Sequence, residues 1–151
     1  RFMMKITVDY PSFEAEKSIL NLKMSSISEL VAKLGVNELT ALKEKVEAVY
    51  VDEKIQDLIV RIVHGTRPGN EHFNQEYEGI IMAGASPRAS IWLYKIAKFK
   101  AFLSGSDFVS PEHVLSIVKS VLGHRVLLSY EAIIDKIDVE EVVYKIASSK
   151  I

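Results

Sequence analysis

The chain has 151 residues, of which 48% are hydrophobic and 26% charged, with a net charge of −1 and no cysteine. This length and composition are typical of one globular domain. The small net charge argues against an extensive nucleic-acid surface, which needs a basic excess. The lack of cysteine excludes disulfides and thiol chemistry and fits a reducing cytoplasm. No apolar run approaches the ~18 residues of a membrane-spanning helix, so we expect no membrane partner.

The front of the chain predicts a strand followed by a helix. Residues 5–10 alternate polar and apolar side chains and are rich in strand-forming residues. Pro11 ends this strand, and Ser12 can cap a helix that we expect to reach about Met24. Residues 25–35 carry apolar side chains at helical spacing, but the pattern leaves their structure open.

The middle of the chain predicts two helices and one long loop. Asn37 is the candidate cap of a helix over residues 38–49, and a second helix begins at Asp52 and ends before Pro68. Residues 66–79 are polar and lack a clear period, so we expect an exposed loop there. The helix over residues 38–49 is expected to turn four apolar side chains inward, namely Leu39, Leu42, Val46 and Val49.

The next segment predicts a helix at the centre of the domain. Residues 80–82 are expected to be extended and to lead into a helix from Pro87 to about Leu103. This helix is apolar almost all round, which is typical of a central helix, and Gly105 supplies its end.

The last third of the chain predicts two more helices. The first begins at Ser110-Pro111 and ends at Gly123, and residues 126–128 are expected to be extended. Asp138, with Glu141 three residues later, predicts a capping-box variant that opens the final helix, Val139 to about Ser148. The sequence as a whole predicts an all-α helical bundle preceded by one short strand from a neighbouring domain.

The motif Gly84-Ala85-Ser86-Pro87-Arg88-Ala89 places a cation at the start of a helix. Ser86 is the predicted N-cap, Pro87 the first helical residue, and Arg88 follows in the first turn. Free N–H groups and the helix dipole make this turn positive, so a cation is unfavourable there unless an anion joins it. The pattern therefore predicts a phosphate or carboxylate site. The alternative is an Arg88 side chain that extends into solvent or pairs with a nearby glutamate.

Other cations have simpler interpretations. Lys95 lies about two turns after Arg88, and its stem is expected to cover apolar surface, with a second phosphate contact as the alternative. Arg67 and the pair His124-Arg125 follow helix ends, where cations offset the negative end of the dipole. The four histidines lack ligand spacing, so no metal site is predicted.

Three motifs occur in order and at matching spacing, namely Gly84–Ala89, Asp107–Val114 and Leu122-Gly123-His124-Arg125. Together they closely resemble the C-terminal lid of MoxR-type AAA+ ATPases. The opening residues 1–6 and Tyr10-Pro11-Ser12 resemble that family's last core strand and the turn into its lid.

The resemblance implies a division of the chain and two functional arginines. Residues 1–10 would end the AAA+ core, and residues 11–151 would form the helical lid domain. Arg88 would be the sensor-2 arginine that reaches the ATP phosphates, with Ser86 and Pro87 beside it at the nucleotide. Arg1 would be an arginine finger that acts in trans on the neighbouring subunit.

The resemblance further implies a chaperone-like ATPase that works in the cytoplasm as a homo-oligomeric ring, usually a hexamer. ATP with Mg²⁺ would bind between this lid and the AAA+ core of the same longer chain. Proteins with a von Willebrand A-type domain are common partners in the family, and nucleic acid is not expected.

The sequence carries no Gly-x-x-x-x-Gly-Lys-Ser/Thr loop and no apolar strand that ends in paired acids. Because phosphoryl transfer needs that lysine and those metal ligands, we expect no ATP hydrolysis by these 151 residues alone. The alternative function is a stand-alone helical interaction module whose Ser86-Pro87-Arg88 helix start binds an acidic partner segment.

Overall fold

The computed structural model describes residues 2–22 and 33–151, and these residues form a helical bundle. Its seven α-helices are α1 (Phe13–Leu20), α2 (Val36–Glu47), α3 (Glu53–Gly65), α4 (Pro87–Leu103), α5 (Pro111–Leu122), α6 (Tyr130–Ile134) and α7 (Val139–Ser148). Two short strands, β1 (Ile81–Ala83) and β2 (Leu127–Leu128), pair antiparallel. The predicted helical bundle is confirmed.

Helix α4 lies at the centre of the bundle, as predicted. It packs against α2, α3 and α5, and α5 packs in turn against α7. The core is built from side chains that these helices turn toward one another, and its largest fully buried members are Ile62, Leu93, Leu122 and Ile146. Helices α3, α5 and α7 repeat apolar residues three and four positions apart, so one face of each is buried.

The outer face of α4 is left uncovered. Phe99 and Leu103 of α4 are exposed, and Leu39 of α2 is exposed beside them. They line an open apolar groove of about 500 Å³ between α2 and α4. The prediction that Leu39 lies inward is therefore wrong, because α2 lies along the edge of the bundle.

A buried lysine fastens α2 to α4. Lys98 is 6% exposed, and its Nζ donates to the backbone carbonyl of Glu47 and lies 3.3 Å from the Glu47 carboxylate. The same ammonium lies 5.7 Å from the centroid of the Tyr94 ring. A cation at the last turn of α2 satisfies a carbonyl that has no partner within the helix.

The front of the chain differs from its prediction. Residues 5–10 form no strand in the described structure, where Ile6, Val8 and Tyr10 are exposed. The N–H of Lys5 donates to the carbonyl of Ser120 in α5 (2.8 Å). A strand needs at least one neighbouring strand to share a ladder of hydrogen bonds, and within residues 2–22 and 33–151 no strand pairs with residues 5–10.

The first helix begins as predicted and ends earlier. The Ser12 side chain accepts the N–H of Ala15 (3.3 Å), which is the expected cap of α1. The helix ends at Leu20 instead of Met24. Met24 and most of the segment 25–35 lie outside the described residues.

The second helix begins two residues earlier than predicted. Gly35, not Asn37, is the N-cap of α2, because its N–H donates to the Glu38 carboxylate (2.6 Å). The helix ends at Glu47, so Val49 lies beyond it and is buried in the following turn.

The predicted exposed loop over residues 66–79 is wrong in part. Thr66 is fully buried, and Phe73 and Tyr77 are each 5% exposed, the latter in a 3-10 turn over Gln75–Tyr77. Two aromatic side chains in a polar segment give no periodic signal, yet each removes a large apolar area from water. The loop therefore packs partly into the core.

Helix α6 was not predicted, because five residues are too few to show a helical period. It begins at Ser129, whose side chain accepts the N–H of Ala132 (3.3 Å). The extended segments on either side of α4 and α5 were predicted, and they meet as β1 and β2.

Helix α7 begins at Asp138, as predicted, but without the expected capping box. The Asp138 side chain accepts the N–H of Glu140 (2.8 Å), and the carboxylate of Glu141 pairs with Lys119 on α5. Glu141 thus connects two helices instead of closing its own first turn.

The turn before α4 is packed against the end of α3. A Cβ atom at Gly84 would lie 2.3 Å from the carbonyl oxygen of Thr66 and 2.7 Å from the Cα atom of Arg67. Such distances are far below van der Waals contact, and both atoms belong to the backbone. Only glycine permits this approach.

A histidine joins the end of α4 to the start of α5. Nδ1 of His113 accepts the N–H of Ser110 (3.0 Å), which closes a capping box in which histidine takes the usual place of glutamate. Its Nε2 lies 2.9 Å from the hydroxyl of Ser104, the C-cap of α4.

We predict that Gly84→Ala lowers the free energy of unfolding by about 1–3 kcal/mol, because the backbone of α3 must shift to admit the methyl group. Gly35→Ala is the matched control, since the nearest atom to its new Cβ is 3.6 Å away, and its cost should stay below about 1 kcal/mol. Urea denaturation measures both. Equal losses in the two variants would contradict the steric argument.

We also predict that His113→Ala lowers the free energy of unfolding by about 1 kcal/mol, because the Ser110 N–H loses its acceptor. The expected sign is a lower midpoint of urea denaturation with an unchanged slope. His124→Ala serves as the control, since His124 is exposed at the end of α5. A His113 variant as stable as the His124 variant would contradict the capping role.

Candidate functional site

The start of α4 has the geometry that the sequence predicted. Ser86 occupies the N-cap with extended backbone (φ −74°, ψ 167°), and Pro87 is the first helical residue. Arg88 is exposed in the first turn, which contains no acidic residue. The Ser86 hydroxyl makes no capping hydrogen bond, so the turn lacks the side-chain acceptor that usually offsets its positive charge.

Two residues at the end of α3 hold the turn that carries this helix start. The N–H of Ala85 donates to the hydroxyl oxygen of Thr66 (3.0 Å), and that hydroxyl donates to the carbonyl of Val63 (2.7 Å). The carbonyl of Ala85 accepts a hydrogen bond from Nε of Arg67 (2.7 Å). Ala85 is 1% exposed, so both of its buried backbone groups are satisfied. We refer to these three bonds as the Ala85 clamp.

The clamp revises the interpretation of Arg67. The sequence placed this arginine at a helix end and assigned it to the helix dipole. In the structure its guanidinium instead reaches a carbonyl 18 residues further along the chain. Thr66, the other clamp residue, was not singled out, and no local pattern in the sequence connects either residue with Ala85.

The positive charge of Arg88 acts on a second arginine, Arg125. Burial lowers the pKa of the Arg125 guanidinium, and the positive charge of Arg88 lowers this pKa further. The ion pairs within residues 2–22 and 33–151 do not include Arg88. Arg125 takes part in none of these ion pairs either, so an anion bound near both arginines would be favourable.

Arg125 connects the end of α5 with the front of the chain. Its Nε donates to the carbonyl of Val121 (2.9 Å), the kind of contact expected of a cation at a helix end. Its Nη2 donates to the carbonyl of Phe2 and lies 3.5 Å from that of Met3. Arg1, which precedes Phe2, lies outside the described residues.

The surroundings of Lys95 favour a packing role. Its Nζ lies 5.8 Å from the centroid of the Trp92 ring, a cation–π distance. Met3, Met4 and Phe99 line an open groove beside these two residues, with a volume of about 450 Å³. The lysine stem therefore covers apolar surface, as the first of its two interpretations predicted.

The start of α5 shows what a capped helix of the same type looks like. Pro111 is again the first helical residue, but Glu112 follows it where α4 has Arg88. A hydrogen bond from Ser110 holds the pKa of the Glu112 carboxyl below its usual range. An anion is thus built into the start of α5, whereas the start of α4 presents a cation.

Two other features are absent from the described part of the chain. No three side chains of the metal-binding types come together in residues 2–22 and 33–151. None of the helices in those ranges combines the length and the apolar character needed to cross a bilayer.

Comparison with known proteins agrees with the resemblance. The family model described as the AAA lid domain matches residues 78–146, which include β1, α4, α5, β2 and α6. The chaperone MoxR1 of Mycobacterium tuberculosis is 32% identical over 146 residues, which are 97% of this chain and 39% of the relative. The uncharacterised protein YeaC of Bacillus subtilis is 33% identical over 151 residues, with 99% and 44% covered.

A comparison with a solved structure also points to this family. A crystal structure from Cytophaga hutchinsonii, assigned as an ATPase, superposes with a TM-score of 0.85 and 28% sequence identity. It is matched over 100% of this chain and 46% of its own length. The chain therefore spans less than half the length of each of these relatives. Family model, relatives and fold agree that the chain belongs to the MoxR-type AAA+ ATPases and corresponds to their lid domain.

Proposed function

We propose that this lid contributes Arg88 to an ATP site as the sensor-2 arginine, with Ser86 and Pro87 beside it, and couples nucleotide state to lid motion. One observation carries the proposal. Arg88 stands exposed in an acid-free first helical turn, and its charge acts on a second arginine, Arg125. A helix start of this kind is suited to bind phosphate oxygens.

The residues present fit the terminal phosphates of ATP better than they fit a metal ion. The two arginines provide positive charge and planar donors that match phosphate oxygens. No described carboxylate cluster could hold Mg²⁺, so we assign the metal ligands and the P-loop to the AAA+ core of the same longer chain. ATP, when bound, supplies the phosphoryl group that is transferred to water.

The proposed role of Arg88 is to hold its guanidinium against the phosphates before negative charge develops on them. The Ala85 clamp fixes the turn from which α4 starts, so the direction of the helix is set by α3. A donor held in place in this way costs little reorganisation during the reaction, which is why preorganised donors accelerate it. Arg88 itself makes no described ion pair that it would have to break.

Exposed apolar side chains at the front of the chain and on β1 support a docking face for the core. Phe2, Ile6, Val8 and Tyr10 are largely exposed, and so is Met82 of β1, whereas Ile81 is buried. Apolar surface of this extent is typical of an interface. We assign residues 1–10 to the end of the AAA+ core and residues 11–151 to the lid, with a hinge near Tyr10-Pro11-Ser12.

The remaining parts of the proposal rest on family membership. Arg1 would act in trans as an arginine finger within a homo-oligomeric, usually hexameric, ring. A protein with a von Willebrand A-type domain is the expected kind of partner, and a chaperone-like role in the cytoplasm is the expected setting. The relative named chaperone MoxR1 supports the chaperone role.

In the longer ATPase we predict that Arg88→Ala lowers hydrolysis about 10²-fold or more, because the transferring phosphoryl group loses a preorganised donor. Stability should change by only a few tenths of a kcal/mol, since the side chain is exposed at a helix start. Arg88→Lys should restore part of the rate, because an ammonium lacks the planar pair of donors. Steady-state turnover and the melting temperature are measured together.

Arg61→Ala is the matched control. Arg61 is an exposed arginine on α3, paired with Asp57 at 4.0 Å, and its loss changes the net charge equally. Its turnover should equal that of the wild type. Normal turnover of a folded Arg88→Ala ring would refute the sensor-2 role. Loss of binding to an acidic peptide in that same variant would then support the interaction-module alternative.

A further inference from the structure

We propose that Arg125 is a positioning residue that holds the backbone of Phe2 and Met3 against the end of α5 and thereby places Arg1. This inference rests on the proposed function, because it concerns how the candidate trans arginine is presented. Its structural part, the hold on the front of the chain, is independent of that function.

Arg125 is suited to this task because its guanidinium bonds in two directions. Nε donates to the carbonyl of Val121 in the last turn of α5 (2.9 Å), which fixes the plane of the group. Nη2 donates to the carbonyl of Phe2 and lies 3.5 Å from that of Met3. One planar side chain therefore joins residues that lie more than 100 positions apart in the sequence.

A second bond fixes the same segment to the same helix. The N–H of Lys5 donates to the carbonyl of Ser120 (2.8 Å), one residue before the carbonyl that Arg125 uses. The front of the chain is thus held to the last turn of α5 at two points, three residues apart. Between them Met4 packs against the core, while Phe2 and Ile6 remain exposed.

The hydrogen bond from Arg125 to Phe2 lies next to one proposed functional arginine in the sequence and within the electrostatic influence of the other. Arg1 is one peptide bond from the residue whose carbonyl Arg125 binds, and the charge of Arg88 is felt at Arg125. Arg125 thus binds the residue that directly follows Arg1 in the sequence and is also affected by the charge of Arg88. A movement of α5 would be passed on to the backbone of Phe2 through a charged hydrogen bond.

The first experiment measures the hold on the 151-residue chain itself. Hydrogen exchange of the Lys5 amide is followed by NMR in the wild type, Arg125→Ala, Arg125→Lys and the control Arg61→Ala. We expect Arg125→Ala to accelerate exchange of Lys5 about tenfold relative to the amide of Val118 in the middle of α5. Arg125→Lys should give an intermediate rate, since one ammonium cannot reach both carbonyls equally well.

This readout separates positioning from general stability. A merely stabilising role would accelerate Lys5 and Val118 by the same factor, and that result would overturn the proposal. An unchanged Lys5 rate in Arg125→Ala would overturn it as well. Neither result depends on whether Arg1 or Arg88 acts in catalysis.

The second experiment is a double-mutant cycle in the longer ATPase with Arg1→Ala and Arg125→Ala. If Arg125 acts through Arg1, its substitution lowers turnover in the wild type by several-fold and has no further effect once Arg1 is removed. Multiplicative losses would overturn the inference and leave the finger role of Arg1 intact. If Arg1→Ala alone left turnover unchanged, the finger role would fail, and exchange at Lys5 would still report on the hold.

Discussion

The Ala85 clamp is the contact on which the rest of this lid depends. A single buried residue has its N–H bound by Thr66 and its carbonyl by Arg67, both at the end of α3. Gly84 brings the two backbones together, because no side chain fits between them. An unsatisfied backbone group at this depth would cost about 1–3 kcal/mol, so the three features are needed together. Together they set the direction of α4 relative to α3.

Because α4 is held in this direction, its inner face is buried in the core, whereas its first turn remains exposed. Leu93, Ala97 and Ala101 on its inner face are fully buried and hold α3 and α5 together. Its first turn lies outside the core and leaves Arg88 exposed. The packing that stabilises the lid therefore also aims the arginine, while a substitution of Arg88 leaves the core contacts in place.

A feature of the fold or of the site could be predicted when its signal lies within a short stretch of sequence, and not when it depends on contacts between distant residues. The helices α3, α4, α5 and α7 carry apolar residues over about three turns or more, and the sequence located each of them. Helix α6 is too short for a period, and the burial of Phe73 and Tyr77 depends on tertiary packing alone. At the site, local capping rules placed Arg88, whereas the bonds of Arg67 and Arg125 join distant residues that no local pattern pairs.

The two distant arginine bonds share a physical logic. Each guanidinium donates to the backbone carbonyl of a residue distant in the sequence, and a charged donor makes a stronger hydrogen bond than a neutral one. Arg67 fixes the turn that carries Arg88, and Arg125 fixes the segment that follows Arg1. The lid thus uses structural arginines to hold the backbone next to exposed ones. Because the positive charge of Arg88 lowers the pKa of Arg125, an anion bound beside Arg88 would ease the repulsion between the two arginines.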